Sequence, residues 1–86
     1  MLTNQTLIDF NEWLGYEEDW TWFDLLEFFD DHDVIITIDH LDGFFYYLVN
    51  DNQTDGVYYT ERLESVLNAF KTADKIYNEK HQEKWN

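Results

Sequence analysis

With 86 residues the chain is long enough for one small domain, 1–86, and too short for two, since a lone core is marginal near about 60 residues and domains run to about 100–150. Its 19 Asp and Glu against 5 Lys and Arg give a net charge of −14, which opposes direct binding to DNA, RNA or anionic lipid and points to basic partners. Yet 44% of the residues are hydrophobic and 20% aromatic, so the chain has the apolar area that a disordered acidic tail lacks. No cysteine is present, which removes disulfides and zinc thiolates and suits a reducing cytosol.

The opening MLTNQTLIDFNEWLG has no basic segment followed by an apolar run, and no stretch approaches the roughly 20 apolar residues that span a bilayer. A soluble protein is expected, and the Asn4-Gln5-Thr6 and Asn52-Gln53-Thr54 sequons are read as chance. A first helix is predicted over Asn4 to Leu14, with Leu7, Phe10 and Leu14 on one face and Gly15 as its C-terminal cap. A second should begin after Thr21, an N-cap with Asp24 three residues on, and end near Asp31. At 100° per residue its buried stripe is Trp22, Leu25, Leu26 and Phe29, while Asp24, Glu27 and Asp31 share the opposite side, bordered by Phe23 and Phe28.

The β-branched and aromatic runs Val34 to Asp39 and Phe44 to Asn50 flank HLDG, whose Asp-Gly pair signals a hairpin; a third short strand is expected over Val57 to Thr60. Phe44, Tyr46 and Leu48 alternate with Phe45, Tyr47 and Val49, so both faces of the sheet carry apolar groups. Coverage of both faces is the simpler expectation, and an exposed aromatic patch the alternative. A long helix over Glu61 to Glu83, with Leu63, Val66, Leu67, Phe70, Ala73 and Tyr77 at helical spacing, serves as scaffold. The expected class is α+β: a small three-stranded antiparallel sheet with two N-terminal helices and one long C-terminal helix.

The charge is unevenly placed. Residues 1–61 hold fifteen carboxylates and no Lys or Arg, whereas the rest holds four carboxylates and five cations. Soluble domains usually intersperse the signs, because a single-sign field destabilises the compact state. A solvated face that keeps an aromatic protein dissolved is the plain explanation, but like charges three and four apart, and carboxylates near a helix C-terminus, are unfavourable positions that solubility does not require. Adaptation to salt would acidify the last helix as well.

Other chemistry finds little support. DNQTDG starts like a calcium loop but has Gln53 at position three and Arg62 at position twelve, where a bidentate Glu is needed. His32 lies among Asp30, Asp31 and Asp33, yet adjacent residues at a helix end do not converge on a metal. His40 and His81 read as surface residues. No nucleophile–base pair, phosphate-binding glycine loop or cofactor motif is present, so neither an enzyme nor a bound cofactor is expected.

Carboxylates fixed about 5–6 Å apart on a helix approximate the spacing of nucleic-acid phosphates, about 3.4 Å per step along a strand. Such an array suits the groove of a DNA-binding protein, with Asp9, Glu12, Glu17, Glu18, Asp19, Asp24, Glu27, Asp30, Asp31, Asp33, Asp39 and Asp42 as contacts and Phe23 and Phe28 as anchors. In size, charge and the layout VIITIDHLDGFFYYLV followed by LESVLNAFK, the chain resembles small acidic phage-encoded DNA mimics. These are anti-CRISPR proteins, anti-restriction proteins and inhibitors of uracil-DNA glycosylase; the hairpin-then-helix layout looks like some anti-CRISPR proteins of type II systems. The resemblance implies a phage or prophage protein, acting as monomer or small homo-oligomer in a bacterial cytoplasm, that blocks the DNA site of a Cas nuclease or restriction enzyme; it assigns no residue by motif. An immunity protein or antitoxin against a basic nuclease is the alternative, and an interaction module using its aromatic sheet face is a third.

Overall fold

The computed structural model describes residues 2–81. It is α+β, in the order α1 (Asn4–Leu14), α2 (Trp22–Asp31), β1 (Ile36–Leu41), β2 (Phe44–Val49) and α3 (Arg62–Lys80). The expected residues 82–83 of the last helix lie outside the described residues. No helix among those described is long and apolar enough to cross a membrane.

α1 stops where Gly15 takes a left-handed φ of 71° and its N–H reaches the Glu12 carbonyl at 3.1 Å, as the glycine predicted. Thr21 and Asp24 form the expected capping box at the start of α2: the Thr21 N–H donates to Asp24 Oδ2 at 2.7 Å. The strands pair antiparallel from Ile36 opposite Val49 to Leu41 opposite Phe44. Asp42 and Gly43 connect them with φ of 50° and 82°, and positive φ at both central residues matches the twist of the strands.

The sheet has two strands, not three. Of the expected third strand only Tyr59 pairs, exchanging two 2.7 Å hydrogen bonds with Phe45. Two local events curtail it. Asp55 accepts the Val57 N–H at 2.9 Å, spending a ladder donor on a turn, and α3 begins at Arg62, directly after Glu61. β1 also starts later than Val34, because the Val34 N–H closes the end of α2 on the Phe29 carbonyl at 2.9 Å.

The core is one cluster in which Phe10, Leu25, Phe28, Phe29, Val34, Tyr47, Val49, Phe70 and Tyr77 meet over Ala69 and Ala73. The two alanines leave room for β2 against α3, where the Tyr47 hydroxyl hydrogen-bonds Thr72 Oγ1 at 2.6 Å. Ile36, Ile38, Phe45, Tyr47 and Val49 thus occupy the inner face of the hairpin. On the outer face Tyr46 meets the Tyr58 ring at 5.4 Å while Leu41 and Phe44 stay exposed, so an aromatic patch remains open to solvent.

Two helix faces are rotated from their expected positions. In α2 the buried stripe is Leu25, Phe28 and Phe29, with Trp22 45% exposed. Both stripes satisfy helical periodicity; α1 decides between them by packing Phe10 and Trp13 against Phe28 at 5.3 and 6.0 Å. In α1 the buried positions are Thr6 and Phe10, and Leu7 is 44% exposed. Thr6 sets this orientation by donating its N–H to Asn78 Oδ1 at 3.0 Å and its hydroxyl to the Asp74 carbonyl at 3.2 Å. Leu63 is likewise exposed, lying in the first turn of α3, two residues before its first buried position, Ser65.

Candidate interaction surface

The carboxylates of residues 1–61 fall into two kinds. The first are engaged within the protein. Asp9 is half-buried and accepts the Tyr77 hydroxyl at 2.5 Å and Gln5 Nε2 at 2.6 Å, so α1 is fastened to α3 through it. Burial, reinforced by that carboxylate, pushes the Tyr77 phenol well above its usual range. Asp24 is spent on the α2 cap. Asp31 accepts the Trp13 Nε1–H at 3.1 Å, tying α1 to the end of α2. Asp55 accepts from Val57 and from the Tyr59 hydroxyl, and although burial works against it these bonds hold its carboxyl below the ordinary range. These groups shape the scaffold before they meet any partner.

The second kind faces water. Glu12, Glu17, Glu18, Asp19, Glu27, Asp30, Asp33, Asp42, Asp51 and Glu61 are exposed, as is Asp39. Asp39 accepts the His40 N–H at 2.8 Å and the Tyr46 hydroxyl at 3.1 Å, and these hold it below the usual carboxylate range. Its 4.0 Å approach to the His40 ring, a salt bridge only when that ring is protonated, is the one contact of this kind among the described residues. Two of the cations of α3 are turned to other uses: Arg62 lies over the Phe45 ring at 4.8 Å, and Lys80 Nζ donates to the Asp33 carbonyl at 3.3 Å.

Of the two expected aromatic anchors, Phe23 is 76% exposed, but Phe28 is fully buried and cannot touch a partner. Its ring is enclosed by Phe10, Trp13, Phe29 and Tyr77. The histidines pack rather than point outward at this end. His32 lies tilted against the Phe28 ring at 4.5 Å with Nδ1 2.7 Å from the Phe28 carbonyl, and His81, expected at the surface, is half-buried on the Tyr77 ring at 4.2 Å.

Two features escape a reading by periodicity. Asp74, inside the charge-balanced helix, is buried and accepts the Thr3 N–H at 3.0 Å, the Thr3 hydroxyl at 2.7 Å and Asn78 Nδ2 at 3.3 Å. The Asp74/Asn78 spacing of four was its only sequence signal. The second is an open groove of about 510 Å³ lined by Leu2, Leu7, Phe10, Asn11, Trp20 and Trp22. The signal here was Trp-Thr-Trp across the N-cap, since indoles on both sides of a cap cannot share one helical stripe. Compared with known proteins, the chain matches no family model, no curated protein and no solved structure.

Proposed function

We propose that the protein is an acidic DNA mimic that binds the basic nucleic-acid groove of a nuclease, of the Cas or restriction type, and blocks it. The observation that carries this reading is the exposed single-sign array on α1, α2, the loop between them and the hairpin tip, with the Asp39–His40 contact as the one salt bridge among the described residues. The carboxylates stand on elements fixed by caps, a two-residue turn and the aromatic core, so little ordering entropy remains to be lost on binding. Lys and Arg of a DNA groove would steer association and pair with them.

The test is competition. With a candidate nuclease, duplex DNA should displace the protein, and affinity should fall steeply with salt, since exposed charges are screened within about 8 Å at physiological ionic strength. A ternary complex in which DNA sits in its normal groove without loss of affinity for either ligand rejects the proposal. The outer sheet patch of Leu41, Phe44, Tyr46 and Tyr58 favours a second reading, an interaction module contacting its partner through that face. Tyr58→Ser with Phe44→Ser would then abolish binding, whereas charge removal would not.

A further inference from the structure

The groove beside α1 presents rigid apolar walls to water. Phe10 is buried at its base and meets Trp20 edge-on at 5.1 Å; Trp20 meets Trp22 at 5.8 Å, and Trp22 stacks on Phe70 at 5.3 Å. The indoles are therefore held in place by their neighbours although Trp20, Trp22 and Leu7 are all exposed. Concave, preformed apolar surface of this kind marks an interaction site more often than scattered single residues do. Among the described residues Asn11 is its one polar lining side chain, which offers little to orient a small polar ligand.

Charge chooses the occupant. The loop that carries Trp20 also carries Glu17, Glu18 and Asp19, all exposed, and Glu12 follows Asn11. A second copy would bring another net −14 to this face, whereas a cationic segment gains from it. We infer that the groove docks the apolar face of a basic amphipathic helix of the partner, with Leu or aromatic anchors at i, i+3/i+4 against Leu7, Trp20 and Trp22 and flanking Lys or Arg over the acidic loop. This deepens the proposed function and rests on it only for the sign of the partner's charge.

The probe is a fluorescein-labelled Lys/Leu peptide of about 18 residues whose leucines share one helical face, compared with a sequence isomer of equal charge in which they do not. Polarisation titrations should give the amphipathic isomer at least about tenfold tighter binding, the scale of one good apolar anchor. Leu7→Asp separates the two contributions, because it adds a negative charge: simple charge attraction would strengthen binding, but the groove loses an apolar wall and affinity should fall at least about fivefold. Leu7→Gln, which keeps the net charge, should weaken it too and serves if the aspartate variant does not fold by circular dichroism. Neutralising the loop (Glu17→Gln, Glu18→Gln, Asp19→Asn) should weaken both peptides and flatten the salt dependence while retaining the preference. Equal affinity for the two isomers, tighter binding by Leu7→Asp, or a dimer in sedimentation that Leu7→Asp dissociates would overturn the inference. No nuclease is involved, so failure here beside intact DNA competition leaves mimicry standing, and a clear isomer preference without DNA competition removes mimicry and keeps the groove.

Discussion

Phe23 and Phe28 differ by five positions and by their whole environment, and they make the clearest contrast at the level of single residues. Truncating Phe28 opens a cavity among Phe10, Trp13, Phe29 and Tyr77, so Phe28→Ala should cost about 3–5 kcal/mol in urea unfolding. Phe23→Ala, at an exposed position, should stay within about 0.5 kcal/mol and reveal itself only in binding. Tyr77 gives a pH test. Its phenol is raised in the folded state, so the stabilisation it contributes is complete below the unfolded value near pH 10 and is lost as pH climbs through the folded value. Melting temperature should fall above about pH 10, and Tyr77→Phe should lessen that fall while costing about 1.5–3 kcal/mol at pH 7, where Asp9 loses a charge-assisted partner. An unchanged alkaline slope in Tyr77→Phe would assign the titration elsewhere, to Tyr59, pushed up by burial, or Tyr46, raised by its bond to Asp39.

At the level of elements, the end of α2 concentrates unfavourable charge. Asp30 and Asp31 lie in its last turn with no basic residue beside them, and Asp33 follows with a left-handed φ of 62°, a conformation asparagine also tolerates. Replacing the three with Asn keeps an amide oxygen to accept the Trp13 N–H and relieves about 0.3–1 kcal/mol each at exposed sites. The triple variant should melt several degrees higher by calorimetry and associate more slowly with a basic partner. Lower melting, or undiminished binding at low salt, would make these aspartates structural or merely solvating. The helices and hairpin were legible because their signals are local: Gly15 after a periodic run, Thr21 with Asp24, and Asp42-Gly43 between β-branched runs. What was not legible depends on partners distant in sequence. Leu25, Leu26, Phe28 and Phe29 permit two helical faces, and only the arrival of α1 chooses one. Thr6 outcompetes Leu7 for the interior because Asp74 and Asn78, about 70 positions away, satisfy its polar groups. The third strand had suitable residues, but Asp55 and the start of α3 removed its space. The exposed carboxylates of the site could be read directly, as could the capping role of Asp24, yet the withdrawal of Asp9 and Asp31 could not, since it follows from tertiary contacts with Tyr77 and Trp13.

For the molecule as a whole, a net charge of −14, with the Asp39–His40 contact the one salt bridge among the described residues, implies self-repulsion in the compact state. Moderate salt should therefore stabilise the free protein while weakening its complex, opposite responses that melting curves and binding titrations at about 20 and 300 mM sodium chloride would separate. A free protein destabilised by salt would indicate that its attractive pairs outweigh the repulsion. One further consequence comes from the clasp in which Thr3 and Thr6 grip Asp74 and Asn78. These bonds span 68 positions or more, so α1, although it can meet α2 earlier, cannot satisfy the polar half of its docking until α3 has been synthesised. Long-range contacts of this kind delay folding and leave earlier segments uncovered during translation. A ribosome-bound fragment lacking α3 would display Phe10, Phe28 and Phe29 to chaperones and proteases. The acidic array would take its folded geometry only after α3 has been made, so no shorter nascent chain could hold its carboxylates in register.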